Sequence, residues 1–230
     1  MQTISPPQQL RIRSVAFALA ARSLGPDVSV LVDGDHIAAL ATAIGEMGEP
    51  RIGLHFEAFD PDRLPSVEEL AGCRVRWFDL GRVAPYEGSH VVGTAGGITP
   101  RLADIAGFYR AFGMGVSGER PDHVVAELEF LALALLSEAD AIDRGQHDRA
   151  EVAGDAIRSF LRDHIGMWID AWAGRVVSID ELAPWAPFAT ISADLVRNES
   201  ALRNVIPAQS NRALPADAGT FDDEAPLECD

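Results

Sequence analysis

The segment from residue 124 to residue 139 constrains the fold of this chain more than any other. It reads VVAELEFLALALLSEA, and its apolar residues form two neighbouring helical stripes: Val124, Leu128, Leu131 and Leu135, and beside them Val125, Ala132, Leu136 and Ala139. A helix that is apolar over most of its circumference belongs inside a protein, because on a surface it would expose too much apolar area to water. We therefore expect this helix to lie at the centre of a helical bundle.

Helical patterns also dominate the rest of the chain, and strand patterns are almost absent. Ser66 and Glu69 form a capping box, Thr99 precedes a proline, and Asp33 or Asp35 can cap a third helix. Together with apolar spacing, these signals predict helices over 12–24, 33–47, 66–78, 99–113 and 148–174, and a last, proline-interrupted helix between 178 and 202. The predicted fold class is all-α, with a single domain.

Composition divides the chain into three parts. Residues 1–10 read as a loose leader, residues 11–206 as the all-helical domain, and residues 207–230 as a disordered acidic tail, because the tail is rich in Ala, Pro, Asp and Glu. No apolar run approaches the roughly 20 residues that a membrane-spanning helix needs. We therefore expect no membrane span.

Residues 79–98 form an unusual loop, DLGRVAPYEGSHVVGTAGGI, with five glycines and one proline. This composition excludes a regular helix over the whole segment. Long loops within a compact domain are usually functional or disordered. The loop is also a plausible hinge, so either a monomer or a dimer that exchanges helices is compatible with the sequence.

Charge and composition exclude several classes of function. The formal net charge is −16, and all 19 basic residues are arginine. A nucleic-acid partner is not expected, because phosphate binding needs a basic surface. The absence of lysine excludes a P-loop lysine and a Schiff base. The two cysteines, Cys73 and Cys229, lie far apart and form no metal-binding motif, which fits a reducing cytoplasm.

No catalytic constellation stands out in the sequence, and we expect no cofactor and no metal. Glu119, Pro121 and Asp122, which precede the apolar helix, have a structural explanation, because acidic residues and proline suit the first turn of a helix. One enzymatic alternative remains open: a small metal-dependent hydrolase that would use Asp33, Asp35, His36 and His123.

The chain resembles the TorD/DmsD/NarJ family of redox-enzyme maturation chaperones. The resemblance rests on LADIAGFYRAFGMGVSGERPDHVVAELEFLALAL, on APYEGSH at 84–90, and on FLRDHIGMWIDAW in a later helix. It spans roughly residues 30–200. The Pro-Tyr-Glu form of the loop is similar to versions associated with dimethyl-sulfide, ethylbenzene, selenate and chlorate enzymes.

This resemblance implies an all-helical, TorD-like bundle without catalytic activity, located in the cytoplasm. Such a protein binds the catalytic subunit of a molybdenum-cofactor oxidoreductase, often through its twin-arginine leader. It holds that subunit until the molybdopterin cofactor is inserted, and only then is the subunit exported.

The resemblance also implies where the client binds. Pro85, Tyr86, Asp122 and His123 match the family's binding face. Carboxylates grip guanidinium groups in bidentate fashion, so Glu87, Glu119 and Asp122 are candidates for holding the leader's arginines. Tyr109 and Glu127 belong to the same motif and complete the predicted site. His90 departs from the pattern, because the family's loop commonly has a tyrosine there.

Overall fold

The computed structural model describes residues 4–56, 59–91, 97–115 and 120–208. In these ranges the chain is an all-α bundle, as predicted, and the only strand-like pairing is an isolated bridge between Tyr86 and His123. The α-helices are α1 (Pro6–Ser23), α2 (Gly34–Met47), α3 (Pro50–Gly53), α4 (Val67–Arg74), α5 (Glu87–His90), α6 (Ile98–Ala111), α7 (Val124–Asp143), α8 (His147–Asp163), α9 (Ile169–Val177) and α10 (Ala186–Leu202). Short 3₁₀ turns lie at Val28–Leu31, Leu54–Phe56, Pro61–Arg63, Ile165–Met167 and Asp180–Leu182, and a π turn at Val75–Asp79.

Helix α7 lies at the centre of the bundle, between α1 and α8. Leu128, Leu131 and Leu135 are fully buried, which confirms the prediction for this segment. The Ser14 hydroxyl of α1 donates a 2.7 Å hydrogen bond to the Ala132 carbonyl of α7, so the two helices are in close contact. Leu136 is an exception, because 41% of it is exposed although its spacing placed it on an apolar stripe.

Helix α1 begins earlier than the sequence pattern suggested. We predicted a loose leader over residues 1–10 and a helix from residue 12, but the helix starts at Pro6. Proline is favourable at the first helical positions, because its ring fixes a helical φ and it needs no hydrogen bond there. Pro7 and Leu10 are buried, so packing holds this added turn in place.

Two of the predicted helix starts have the expected capping groups. The Asp33 carboxylate accepts hydrogen bonds from the amides of Asp35 and His36, so Asp33 is the cap of α2. Ser66 and Glu69 form the predicted capping box at α4. The helix that starts there continues through the π turn to Asp79, close to the predicted end at residue 78.

The segment predicted as one helix over 148–174 is two helices, α8 and α9, with a break at His164. The φ and ψ angles of His164 are −125° and −108°, which are not helical. A Cβ atom at Gly166 would lie 2.1 Å from the Leu161 carbonyl oxygen, so only glycine fits against the end of α8. Apolar spacing continues across this break, and the pattern alone therefore predicted a continuous helix.

Buried ion pairs join α1, α7 and α10. Arg203 contacts Glu138 of α7 at 2.6 Å and Glu199 at 2.5 Å, and Glu199 also contacts Arg13 of α1 at 2.8 Å. Side-chain exposure in this cluster is at most 16%. Breaking one such buried pair leaves an uncompensated charge, so the cluster specifies how the three helices pack.

The last described residues lie against the α8–α9 junction. The Ala208 amide donates a 2.8 Å hydrogen bond to the Arg162 carbonyl, and Pro207 lies beside Gly166. The predicted acidic tail falls almost entirely outside the described residues, since 209–230 are not among them. Among the described helices, none is long and apolar enough to cross a membrane.

Candidate client-binding site

Two segments of the predicted site are joined by a short backbone pairing. The amide of Glu87 donates to the Asp122 carbonyl at 2.9 Å, and the amide of Val124 donates to the Pro85 carbonyl at 2.8 Å. These bonds flank the antiparallel bridge between Tyr86 and His123. We call residues 85–88 and 120–124 together the clip. It ties the glycine-rich loop to the start of the central helix.

His123 begins α7 and shapes the clip. Its Nδ1 atom accepts a 3.2 Å hydrogen bond from the Val125 amide, so the histidine is the N-cap of the helix. Its ring makes an edge contact with the ring of Tyr86, with centroids 5.1 Å apart. Pro121, expected in the first turn, precedes the helix instead, and its carbonyl accepts a 2.7 Å hydrogen bond from the Tyr109 hydroxyl.

The carboxylate of Asp122 is bound by two other residues of the clip, Gly88 and Arg120. It is fully buried, and it accepts a 3.0 Å hydrogen bond from the Gly88 amide. Arg120 donates to both of its oxygens, at 3.0 Å and 2.6 Å. The Arg120 guanidinium also lies over the ring of Tyr86, 4.6 Å from its centroid. Asp122 therefore binds an arginine of its own chain.

Glu87 is fully buried and links the loop to two other elements. It forms an ion pair with Arg101 of α6 and lies 3.3 Å from Nδ1 of His164, at the α8–α9 break. Arg101 also donates a hydrogen bond to the Asp163 carbonyl. Burial, and secondly the charge of Arg101, lower the pKa of His164 to about 4. His164 is therefore neutral at physiological pH, and Arg101 supplies the positive charge that compensates Glu87.

Glu127 lies on α7, one turn after the clip, and is fully buried. Trp168 donates a 3.1 Å hydrogen bond to its Oε2 atom. Burial raises the pKa of Glu127 well above its usual range, and the negative charge of Asp122 acts in the same direction. Burial first, and then the neighbouring carboxyl groups of Glu127 and Asp122, raise the pKa of Tyr109. His90 stacks on Trp168 with ring centroids 5.3 Å apart, so the residue that departs from the family pattern packs within the site.

Most of the predicted site residues therefore come together in the structure, but as a closed and largely buried arrangement. Tyr86 is half-buried, whereas the others described are buried: Pro85, Glu87, Tyr109, Asp122, His123 and Glu127. Glu119 lies outside the described residues. We expected Glu87, Glu119 and Asp122 to be available for the leader's arginines. Donors of the chain itself already bind Glu87 and Asp122, so a role of these residues in client binding stays a prediction.

Sequence reasoning missed Arg101, His164 and Trp168, which hold the site from α6 and from the α8–α9 junction. Arg101 carried a signal, because a cation in the first turn of a helix is unfavourable unless it has another partner. His164 and Trp168 lie in the motif FLRDHIGMWIDAW, but no pattern pairs them with Glu87 and Glu127, which are about 40 to 80 residues away in sequence.

The residues of the hydrolase alternative do not form a metal site. Asp33 caps α2, and His36 is buried with its Nε2 atom 2.9 Å from the Ser23 hydroxyl. His123 caps a different helix, α7. In the part of the chain that the structure describes, no group of three or more His, Cys, Asp or Glu residues could hold a metal ion.

Comparison with known proteins identifies the family. Residues 35–174, which are more than half of the chain, match the family described as nitrate reductase delta subunit. The chain belongs to this family. The match confirms the resemblance that the sequence motifs indicated, and it covers both segments of the clip and the α8–α9 junction.

A relative of this delta-subunit family member is the selenate reductase assembly chaperone protein of Thauera selenatis. The two are 37% identical over 82 residues, which are 34% of this chain and 42% of the relative. The match thus spans less than half of the relative's length. No solved structure matches the chain.

Proposed function

We propose that this protein is an assembly chaperone for the catalytic subunit of a molybdenum-cofactor oxidoreductase. The observation that carries the proposal is the family match over residues 35–174, which contains the whole clip. The name of the Thauera selenatis relative supports the same role, since that protein is an assembly chaperone of a reductase. The function is binding and protection of a client rather than catalysis.

The clip and its surroundings are the proposed client-binding surface. Arg120 and Ser89 are exposed there, and Tyr86 is half-buried, so a polypeptide can reach these side chains directly. Asp122 lies directly behind Arg120. The buried residues of the site fix the shape of this surface: Pro85, Glu87, Tyr109, His123 and Glu127. Buried, packed groups hold a binding surface in one geometry, which reduces the entropy lost on binding.

The proposed ligand on this surface is the client's twin-arginine leader. The net charge of −16 attracts a basic segment and repels acidic ones. Such leaders are recognised before export, so the proposed location of the chaperone is the cytoplasm. The client's cofactor would be inserted while the chaperone is bound, and the chaperone itself needs no cofactor for this role.

Capture of the client tests the proposal. The tagged chaperone is expressed in its native host, and the proteins that it retains are identified by mass spectrometry. We expect the precursor of a molybdenum-cofactor oxidoreductase catalytic subunit, and recovery should fall when its leader is deleted. Recovery of no such subunit by the wild-type chaperone would contradict the proposed function.

A charge change on the surface tests the location of the site. Ser89→Arg adds a positive charge beside the clip and should reduce capture about ten-fold or more, because like charges at an interface are strongly unfavourable. Thr42→Arg is the matched control, since Thr42 is an exposed residue of α2. Equal capture by both variants would place the site elsewhere on the protein.

A further inference from the structure

The carboxylate of Asp122 and the ring of Tyr86 form the two walls of a cradle around the Arg120 guanidinium. The carboxylate of Asp122 binds Nε and one terminal nitrogen of the guanidinium, at 3.0 Å and 2.6 Å. The ring of Tyr86 lies against the guanidinium plane, at 4.6 Å. This combination of a bidentate carboxylate and an aromatic face is specific for arginine, because a lysine ammonium is a point charge without a planar fork.

Contacts other than those of the Arg120 side chain also hold both walls of the cradle. The Gly88 amide holds Oδ2 of Asp122 at 3.0 Å, and Tyr86 is fixed by its pairing and ring contact with His123. Only 1% of the Asp122 side chain is exposed, compared with 45% of the Arg120 side chain. Arg120 is therefore an accessible group that covers a buried anion.

We propose that this cradle is a guanidinium-binding site, that Arg120 occupies it in the absence of client, and that an arginine side chain of the client displaces Arg120. The inference rests on the proposed function, because it takes the client's ligand to be a leader that carries arginines. Arg120 is then an internal competitor for the client. It also keeps the Asp122 carboxylate compensated while no client is bound.

Competition from Arg120 sets a threshold for binding. Arg120 is two residues from Asp122, so its effective concentration at the cradle is on the order of millimolar or higher. Exchange of the Arg120 guanidinium for a client guanidinium gains almost no binding free energy by itself. A client arginine therefore displaces Arg120 only when the rest of the leader adds contacts of its own, and isolated arginines in the cell do not.

A small guanidinium probe tests the cradle without any client. N-acetyl-L-arginine methylamide is titrated into ¹⁵N-labelled wild-type protein and Arg120→Ala, and the Gly88 amide signal is followed, because this amide donates directly to Asp122. We expect saturable binding to Arg120→Ala that is about ten-fold or more tighter than binding to wild type. Arg120→Lys should lie between the two, and it guards against a loss of folding in the alanine variant.

Two controls separate the cradle from nonspecific charge effects. N-acetyl-L-lysine methylamide should bind Arg120→Ala much more weakly than the arginine probe, and Arg120→Ala/Asp122→Asn should not respond. If the Arg120 variants bind the arginine probe no more tightly than wild type, or bind the lysine probe equally well, the cradle is not a guanidinium site. Since no client is used, such a result overturns this inference alone, and the capture experiment still decides the proposed function.

Discussion

The buried surroundings of the Glu127 carboxyl group disfavour its charged form. It is fully buried, its one described side-chain hydrogen bond comes from Trp168, and burial raises its pKa well above the usual value of 4.5. The folded protein therefore binds this proton more tightly than the unfolded chain does. As pH rises from about 4.5 towards the raised pKa, folding becomes less favourable, by about 1.4 kcal/mol per pH unit in that window.

We predict that Glu127→Gln removes this pH dependence. Glutamine keeps an oxygen for the Trp168 N–H and carries no ionisable proton, so the variant should gain stability relative to wild type as pH rises from 5.5 to 8.5. Thermal or urea unfolding across this range measures the difference. Glu151→Gln, at an exposed position of α8, is the control and should follow wild type at every pH. A constant difference between Glu127→Gln and wild type would contradict the assignment.

At the residue scale, the sequence predicted side chains that lie close together in the structure, but not that they are buried and bound by donors of the same chain. Asp122 and His123 are neighbours in one short motif, so the sequence alone indicated that they belong together. The partner of Glu87 is Arg101, and the partner of Glu127 is Trp168. Such distant pairings follow from the packing of separate helices, and no local pattern specifies them. Burial of the carboxylates could therefore not be predicted from the motif alone.

At the scale of elements, the α8–α9 junction determines where His164 and Trp168 lie. These residues contact Glu87 and Glu127 only because the helix breaks after Asp163 and the next one starts at Ile169. The break depends on Gly166, whose missing side chain allows the Leu161 carbonyl to approach. This short connection thus positions the partners of two candidate site residues, Glu87 and Glu127.

Replacement of Gly166 tests this dependence. Gly166→Ala should destabilise the protein by about 1–3 kcal/mol, because the added methyl group would overlap a backbone oxygen that cannot move without shifting α8. Gly174→Ala in α9 is the matched control. No atom lies within 4 Å of its added methyl group, and alanine favours a helix by about 0.5–1 kcal/mol. Urea unfolding of both variants gives the comparison, and equal stabilities would refute the proposed role of Gly166.

Apolar periodicity and caps predicted the helices well where packing agrees with local preference. The core helix α7 and the caps at Asp33 and Ser66 are examples. The pattern was wrong where tertiary contacts override it. Pro7 and Leu10 extend α1 by packing, and Gly166 interrupts a segment whose apolar spacing continues.

At the scale of the whole molecule, few of the charged side chains in the described residues are buried. Buried arginines such as Arg203 are compensated inside the bundle by Glu138 and Glu199. The formal charge of −16 therefore acts mainly at the surface, as the sequence alone indicated. A field of this sign accelerates encounters with basic partners and is screened by salt.

We predict that the association rate with a twin-arginine leader peptide falls about ten-fold between roughly 20 mM and roughly 300 mM NaCl. Stopped-flow fluorescence with a labelled peptide measures the rate. A peptide in which both arginines are replaced by glutamine should associate slowly and show a weak salt dependence. If the two peptides showed the same salt dependence, the leader's arginines would not be what the surface field attracts.

The backbone pairing of the clip has a consequence for measuring its motion. The amide protons of Glu87 and Val124 are shielded from solvent only while their bonds to Asp122 and Pro85 are intact. Their exchange with deuterium is therefore a direct record of how often the clip separates. A client that docks on the closed surface slows this exchange. A client that separates the two segments of the clip accelerates it. The core amides of α7 provide the internal reference in the same spectrum.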